Sequence, residues 1–270
     1  MVRDVSFGQY FPAKSFIHSL DSRCKILLLV AYLVIVFCTF NYLSLAVVTL
    51  FTLFYIGMSG IPVKFYVKSL KVIITIVIIT SVLNLFYGTG EPLWQWGIIK
   101  VTMNGINRAI FVTLRIICLI LASSCLTFTT SPTDLTDAIE RLMKPLAKLH
   151  FPVHEIAMMM SLALRFVPTL LEETDKIMSA QKARGADMES GSIIKRIKAL
   201  IPVLVPLFVS AFRRAYELAT AMECRCYQGG EGRTRMKIMQ MSKRDVIAII
   251  AVALLIVGVI LCNIFLTPII

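Results

Sequence analysis

Gln181-Lys182-Ala183-Arg184-Gly185 and Glu223-Cys224-Arg225-Cys226-Tyr227 each close a long predicted helix, with the two arginines 41 positions apart. Each arginine stands between small residues, a cationic tip with nothing bulky beside it. The stretch that holds both, Ser131 to Gly230, also carries two apolar runs, Ile156–Leu171 and Ala199–Phe212. Whether those runs cross a membrane decides the fold. The second has Pro202 and Pro206 inside it, and its length falls in the ~10–14-residue range of buried or interfacial helices. Making both transmembrane would also carry Lys176, Lys182, Arg184, Lys195, Arg196 and Lys198 to the opposite side. The stretch therefore reads as a helical insert that ends in two plugs shaped for a socket on another protein. The rest of the chain reads as its membrane anchor.

The composition supports an anchor. Of 270 residues, 57% are hydrophobic, against about 45–50% in a soluble domain, and the mean hydropathy is +0.80. The formal charge of +12 does not point to nucleic acid, because the basic residues cluster beside apolar spans, as cytoplasmic loops do. The seven cysteines form no CxxC pair. Most lie in or next to apolar spans, where a thiol behaves as a small hydrophobe, so neither a disulfide framework nor a metal ligand set follows. The N-terminus, with Arg3, Asp4 and Lys14, lacks a cleavable signal pattern.

From Ile26 to Lys64 no charge intervenes, which is too long for one helix across a ~30 Å core. Asn41-Tyr42 divides it into a tight hairpin of two short spans. Val72 to Gly90 gives a third span, Ala109 to Thr130 a fourth, broken by Arg115, and Val246 to Ile270 a fifth. Trp94 and Trp96, in the loop after the third, suit a membrane interface. Arg3, Lys14, Arg23 and Lys25 precede the first span, Lys64, Lys68 and Lys71 follow the second, and a long basic series from Arg141 to Arg244 fills the insert. The opposite side keeps Lys100 and Arg108. This asymmetry predicts a cytoplasmic N-terminus and insert and an outer C-terminus. The expected protein is an all-α integral membrane protein of about five transmembrane helices. Its parts are a cytoplasmic N-terminus (1–25), a four-helix membrane region (26–130), a cytoplasmic helical region (131–245) and a last span (246–270).

Three helices fill the insert. Ser131 as N-cap, Pro132 at the first position and Asp134 near the positive dipole end start the first. Leu135, Ile139, Leu142, Leu146 and Leu149 continue it at helical spacing. The second runs from about His154 to Arg184, with Pro168 expected to kink it and Gly185 as left-handed cap. Its first half is apolar nearly all round, so it is expected to be covered on several sides. Ser192 is placed to cap the third, which ends near Arg225.

Chemistry of the chain's own is sparse. It has no GxxxxGK[ST] phosphate loop. Gly229-Gly230-Glu231-Gly232 reads as a hinge, and Pro152 between His150 and His154 argues against a shared metal-binding face. The apolar spans hold no Asp, Glu or His, the titratable groups that a proton-coupled carrier or an intramembrane hydrolase needs. Arg115 either snorkels to the outer interface or meets another subunit. Arg184 and Arg225 likewise have two readings. A cation at a helix C-terminus is ordinary dipole chemistry, whereas an exposed planar fork suits a carboxylate in a partner's groove.

Phe16-Ile17-His18-Ser19-Leu20-Asp21-Ser22-Arg23-Cys24-Lys25 is similar to the "LDPRxK" segment of one family, the transmembrane T components of energy-coupling factor (ECF) transporters, with Ser22 where proline is usual. Ser131-Pro132 opens the insert as that family does. Ala183-Arg184-Gly185 has the form of its first Ala-Arg-Gly motif, and Cys224-Arg225-Cys226 fits the second, degenerate X-Arg-X motif. Phe7-Gly8-Gln9-Tyr10 and the segment Tyr227 to Arg235 look most like the shared-module type, which serves several vitamin-binding partners. The resemblance, which covers nearly the whole chain, implies a non-catalytic scaffold in the bacterial cell membrane. It would join two ABC-type ATPases, which bind the ATP, to a membrane-embedded substrate-binding S component for a vitamin or other micronutrient. It also implies that Arg184 and Arg225, with their flanks Ala183, Gly185, Cys224 and Cys226, dock in the two ATPases. A membrane enzyme, or a self-sufficient secondary transporter, is the alternative reading.

Overall fold

The computed structural model describes residues 10–86, 92–96, 99–149, 151–186, 192–229 and 239–265. In chain order the elements are α1 (Ser22–Phe37), α2 (Tyr42–Ser59), α3 (Val63–Phe86), β1 (Pro92–Trp96), β2 (Ile99–Thr102) and α4 (Met103–Thr129). They continue as α5 (Pro132–Met143), a 3-10 turn (Lys144–Leu149), α6 (Val153–Ala183), α7 (Ile193–Cys224) and α8 (Lys243–Phe265). The all-α class is correct but for one antiparallel hairpin, in which Gln95 pairs with Lys100 and Trp96 with Ile99. From sequence this segment reads as a loop. The described residues divide into two compact units, one of residues 10–138 with 239–265 and one of residues 139–229.

The first unit is built around four helices. α1 and α2 each pack against both α4 and α8, and a dry core forms from Tyr32, Ile35 and Val36 of α1, Val48 of α2, Ala122 of α4, and Val252, Leu255 and Val259 of α8. Lipid offers helices little hydrophobic reason to associate, so packing and polar contacts fix the arrangement. Those polar contacts concentrate at the two ends. At one end Asn41 donates to the Cys262 carbonyl at 3.2 Å and Asn263 to the Cys38 carbonyl at 2.6 Å, joining the α1–α2 turn to α8. Arg115 of α4 donates to the Thr39 carbonyl of the same turn, with its guanidinium carbon 5.0 Å from the centre of the Phe111 ring. Arg115 therefore has a partner within its own chain, which neither sequence-level reading foresaw.

The other end explains the Leu20–Lys25 segment residue by residue. Leu20 is buried. Asp21 is the N-cap of α1 and accepts from the Arg23 backbone N–H at 2.9 Å, while the Arg23 guanidinium pairs with the same carboxylate at 2.7 Å. Ser22 holds the first helical position, where proline fits because the N–H there needs no intrahelical acceptor. The Lys25 ammonium, four per cent exposed, donates to the Thr129 carbonyl at the end of α4 at 3.0 Å, a cation at a negative dipole end. Asp245, at the start of α8, accepts from the Asp21 backbone N–H at 2.8 Å and the Ser242 N–H at 2.6 Å.

α3 lies along α4, and the approach is close enough to require glycine. A Cβ at Gly105 would fall 2.5 Å from the Leu85 carbonyl oxygen. α3 starts at Val63, so Lys64, Lys68 and Lys71 form its first turns instead of preceding the span.

Among the described residues, five helices are long and apolar enough to cross a membrane: α2, α3, α4, α6 and α8. The number agrees with the sequence reading, but the membership differs. α1, with 16 residues, spans ~24 Å at ~1.5 Å per residue and falls short, while α6 qualifies. In the second unit α6 and α7 pack together. Both run unbroken through their prolines, Pro168 in one and Pro202 and Pro206 in the other. Ser131 caps α5 as expected, accepting from the Asp134 N–H at 3.1 Å. The helix then stops at Met143, because Pro145 cannot continue the α-type bonding, and a 3-10 turn follows. The expected helix through Leu149 is thus two pieces. Ser192 occupies the N-cap of α7 without a side-chain cap bond. The first half of α6 is less covered than its apolar composition implied, with Val153 and Ala157 buried but Met159 and Met160 exposed.

Candidate partner-docking site

α6 and α7 form an antiparallel pair. Gln181 near the end of α6 donates to the Pro202 carbonyl at 3.4 Å. Midway, the Arg214 guanidinium donates to Glu173 at 2.9 Å and the Ser210 hydroxyl bonds the same carboxylate. At the far end the Tyr227 hydroxyl meets the Met158 sulfur at 3.1 Å. The hydroxyl of Ser210 first, and then Arg214, hold the Glu173 carboxyl below the usual carboxylate range. This clamp sets the register of the two helices. Because they run in opposite directions, Arg184 and Arg225 stand at opposite ends of the pair. The 23 residue steps from Pro202 to Arg225 correspond to ~35 Å of straight helix.

The two ends are built alike. Arg184 is the C-cap of α6, followed by Gly185 in the left-handed region at φ 86°. The Gly185 N–H bonds the Lys182 carbonyl at 3.0 Å, and the Ala186 N–H bonds the Gln181 carbonyl at 3.0 Å. Arg225 is the C-cap of α7, followed by Cys226 at φ 55°. The Cys226 N–H bonds the Glu223 carbonyl at 2.9 Å, and the Tyr227 N–H bonds the Met222 carbonyl at 3.1 Å. Both ends thus close with the same pair of bonds around a left-handed residue. The degenerate second motif keeps the backbone of the first although cysteines stand in place of both its alanine and its glycine. Ala183, Arg184 and Gly185 are exposed, as are Cys224, Arg225 and Cys226. Among the described residues, a cap made wholly of backbone bonds leaves each arginine side chain without an ion-pair partner.

Cys226 is the one described non-glycine residue with positive φ, a conformation that costs an L-residue roughly 1–2 kcal/mol. Cys226→Gly is expected to stabilise the end of α7 by up to about 1 kcal/mol, and Cys226→Val to destabilise it, since β-branching fits this region worst. Hydrogen exchange at the amides of Cys226 and Tyr227 reads the effect; equal protection in both variants would contradict it.

A feature missed in the sequence is a stripe on α7. Ile194, Ile197, Ile201, Val205, Phe208, Phe212 and Tyr216 recur at three- and four-residue spacing and all are exposed. The spacing is legible in the sequence, where the run Ala199–Phe212 reads as a buried or interfacial helix and not as an exposed face. His150, Gly230, Glu231 and Gly232 lie outside the described residues. His154 pairs with Glu140 at 3.4 Å.

Helices long and apolar enough for a bilayer, with the pair of long helices α6 and α7, define an integral membrane protein. Residues 13–237 match the family model of CbiQ, described as cobalt transport protein. The chain is 52% identical over 247 residues to the energy-coupling factor transporter transmembrane protein EcfT of Ruminiclostridium cellulolyticum, covering 92% of each chain. It is 52% identical over 250 residues to the EcfT of Clostridium kluyveri, covering 92% of this chain and 93% of that one. With the EcfT of Bacillus subtilis it shares 46% over 256 residues, 94% of this chain and 97% of the other. The chain belongs to this family, as an EcfT-type transmembrane component of an ECF transporter.

Proposed function

We propose that this chain is the scaffold that links two ABC-type ATPase subunits to a membrane-embedded substrate-binding S component, so that ATP hydrolysed by the partners drives uptake of a vitamin or other micronutrient. One observation carries the reading: the same backbone cap occurs twice, at opposite ends of one clamped helix pair, each time presenting an uncommitted arginine. Two equivalent ATPases need two equivalent anchors. A guanidinium suits the task because its planar fork pairs bidentately with a carboxylate. The exposed stripe of α7 supports contact with a second, apolar partner, since an unbroken apolar face of this length is rare on a protein that works alone.

The placement in the bilayer follows from charge. α6 is apolar enough to span, but a spanning α6 would set Arg165 within the bilayer and carry Lys182 and Arg184 away from the other basic residues. α1 is short, yet it completes the dry core with α2, α4 and α8, and a short span is accommodated by local thinning of the bilayer. The proposed spans are α1, α2, α3, α4 and α8, with the N-terminus and the α5–α7 region in the cytoplasm and the C-terminus outside. In a background without native cysteines, an impermeant thiol reagent applied to intact cells should modify Gln95→Cys and spare Ser192→Cys. Modification of Ser192→Cys would reverse the topology.

Reconstitution tests the function. Liposomes holding this chain alone should neither hydrolyse ATP nor accumulate substrate, and adding the ATPase and S subunits should restore both. Uptake by the chain alone would defeat the proposal.

A further inference from the structure

The half of the four-helix bundle that holds the starts of α1 and α8 and the end of α2 contains a cavity of about 250 Å³. Its wall is apolar, formed by Leu28 of α1, Phe51 and Tyr55 of α2, and Ile247, Ala248 and Ala251 of α8. The two alanines leave the room. The space opens at the surface, where Ile247 is exposed, and beside a bilayer the nearest supply of apolar occupants is an acyl chain.

The charges around the cavity select among lipids. Lys25 borders it and is nearly fully buried. Its ammonium is held by neutral acceptors, the Thr129 carbonyl and the Thr130 hydroxyl at 3.4 Å. Among the described residues no carboxylate lies within ion-pairing distance of it. The carboxylates of Asp134, Asp245 and Asp21 act on it only through space, so the selection among lipids falls to the exposed cations one turn away. Lys243 and Arg244 sit four residues before Ile247 and Ala248, on the same helix faces one turn nearer the water. Both are exposed and neither has an ion-pair partner among the described residues. They stand where the headgroup of a lipid in that leaflet would lie. Lys64 and Lys68, at the start of α3, mark the same side as the basic one.

We propose that this cavity is a binding site for one anionic phospholipid, with an acyl chain seated against Ala248 and Ala251 and the phosphate held by Lys243 and Arg244. The site is independent of the arginine-tipped helix ends and stands whether or not they dock.

Native mass spectrometry of the full-length chain, released from detergent with phosphatidylglycerol or with phosphatidylcholine of the same acyl chains, tests the site. One phosphatidylglycerol should be retained with about tenfold or greater preference, since each surface cation contributes roughly fivefold toward an anionic lipid. Lys243→Gln combined with Arg244→Gln should abolish the preference. Ala251→Phe, which fills the cavity, should abolish retention of phosphatidylglycerol. If that variant does not fold, Ala248→Val gives the smaller filling, with partial loss expected. Lys68→Gln combined with Lys71→Gln should leave binding unchanged. Equal retention of the two lipids, or phosphatidylglycerol binding unaltered in the glutamine or filled variants, would overturn the proposal. So would photocrosslinking from Ile247 that captures a helix of another subunit or a second copy in place of lipid.

Discussion

Replacing both Arg184 and Arg225 by alanine is expected to strip the ATPase subunits from the complex while the chain reaches the membrane at its normal level. Each arginine caps its helix through backbone bonds alone, so truncating the side chain leaves the cap intact. What is lost is the charge offered to a partner. Removing one member of a desolvated, hydrogen-bonded charge pair costs ~2–5 kcal/mol. With a single substitution the remaining anchor still tethers the assembly and keeps the weakened contact at high local concentration. Arg184→Ala or Arg225→Ala should therefore impair uptake but retain part of the ATPase. The double variant has no tether left. Arg184→Glu should be worse than Arg184→Ala because it sets like charges in contact, and Arg184→Lys should fall between wild type and alanine because a lysine lacks the bidentate fork. The assay is pull-down of the ATPases on this chain from detergent extracts, beside its membrane level. A double variant that holds the ATPases at full stoichiometry and still drives uptake would show these ends to be capped helices and nothing more.

Much of this site was legible in the sequence because it is local. A helix end needs only the residues within one turn, so Gly185 announced its left-handed cap and Ser131-Pro132 its helix start. The extents of α6 and α7 agree with expectation to within a residue or two for the same reason. What the sequence concealed depends on contacts between distant positions. Arg115 meets Thr39, and Lys25 meets Thr129. No periodicity connects these pairs: Arg115 reads as a charge inside a span and Lys25 as one just before a span. Glu173, Ser210 and Arg214 also sit on separate helices, and only their antiparallel packing makes them a clamp. Cys226 hid for another reason. Its backbone conformation is one that sequence statistics reserve for glycine, and the bonds to Glu223 and Met222 impose it regardless. The exchange of α1 for α6 among the helices long enough to span shows the limit of hydropathy itself. Length and apolar content do not say which helix has neighbours to share a core with.

Asp245→Ala is expected to have the largest effect on stability, and the opposite signature. Asp245 is completely buried at the start of α8, where a carboxylate faces the positive end of that helix and, through the Asp21 N–H, the start of α1. It ties the first residues of the bundle to its last helix, 224 positions away. Alanine would leave two backbone donors without acceptors in a closed site. A hydrogen bond to a charged group contributes ~1.5–3 kcal/mol, and stranding its buried partner costs a further desolvation penalty. A loss of roughly 3–4 kcal/mol follows, a large share of the ~5–15 kcal/mol that holds a typical domain together. Asp245→Asn should fall between, because its amide oxygen satisfies one donor while its NH2 group opposes the other. Thermal unfolding in detergent should rank the proteins wild type, Asp245→Asn, Asp245→Ala, with membrane levels in the same order. The fraction of ATPase bound per folded molecule should stay unchanged, since the arginine-tipped ends belong to a separate compact unit. The double arginine variant should show the reverse, normal folding without ATPase. If Asp245→Ala melts at the wild-type temperature, the two N–H groups have another acceptor and the latch between α1 and α8 does not exist.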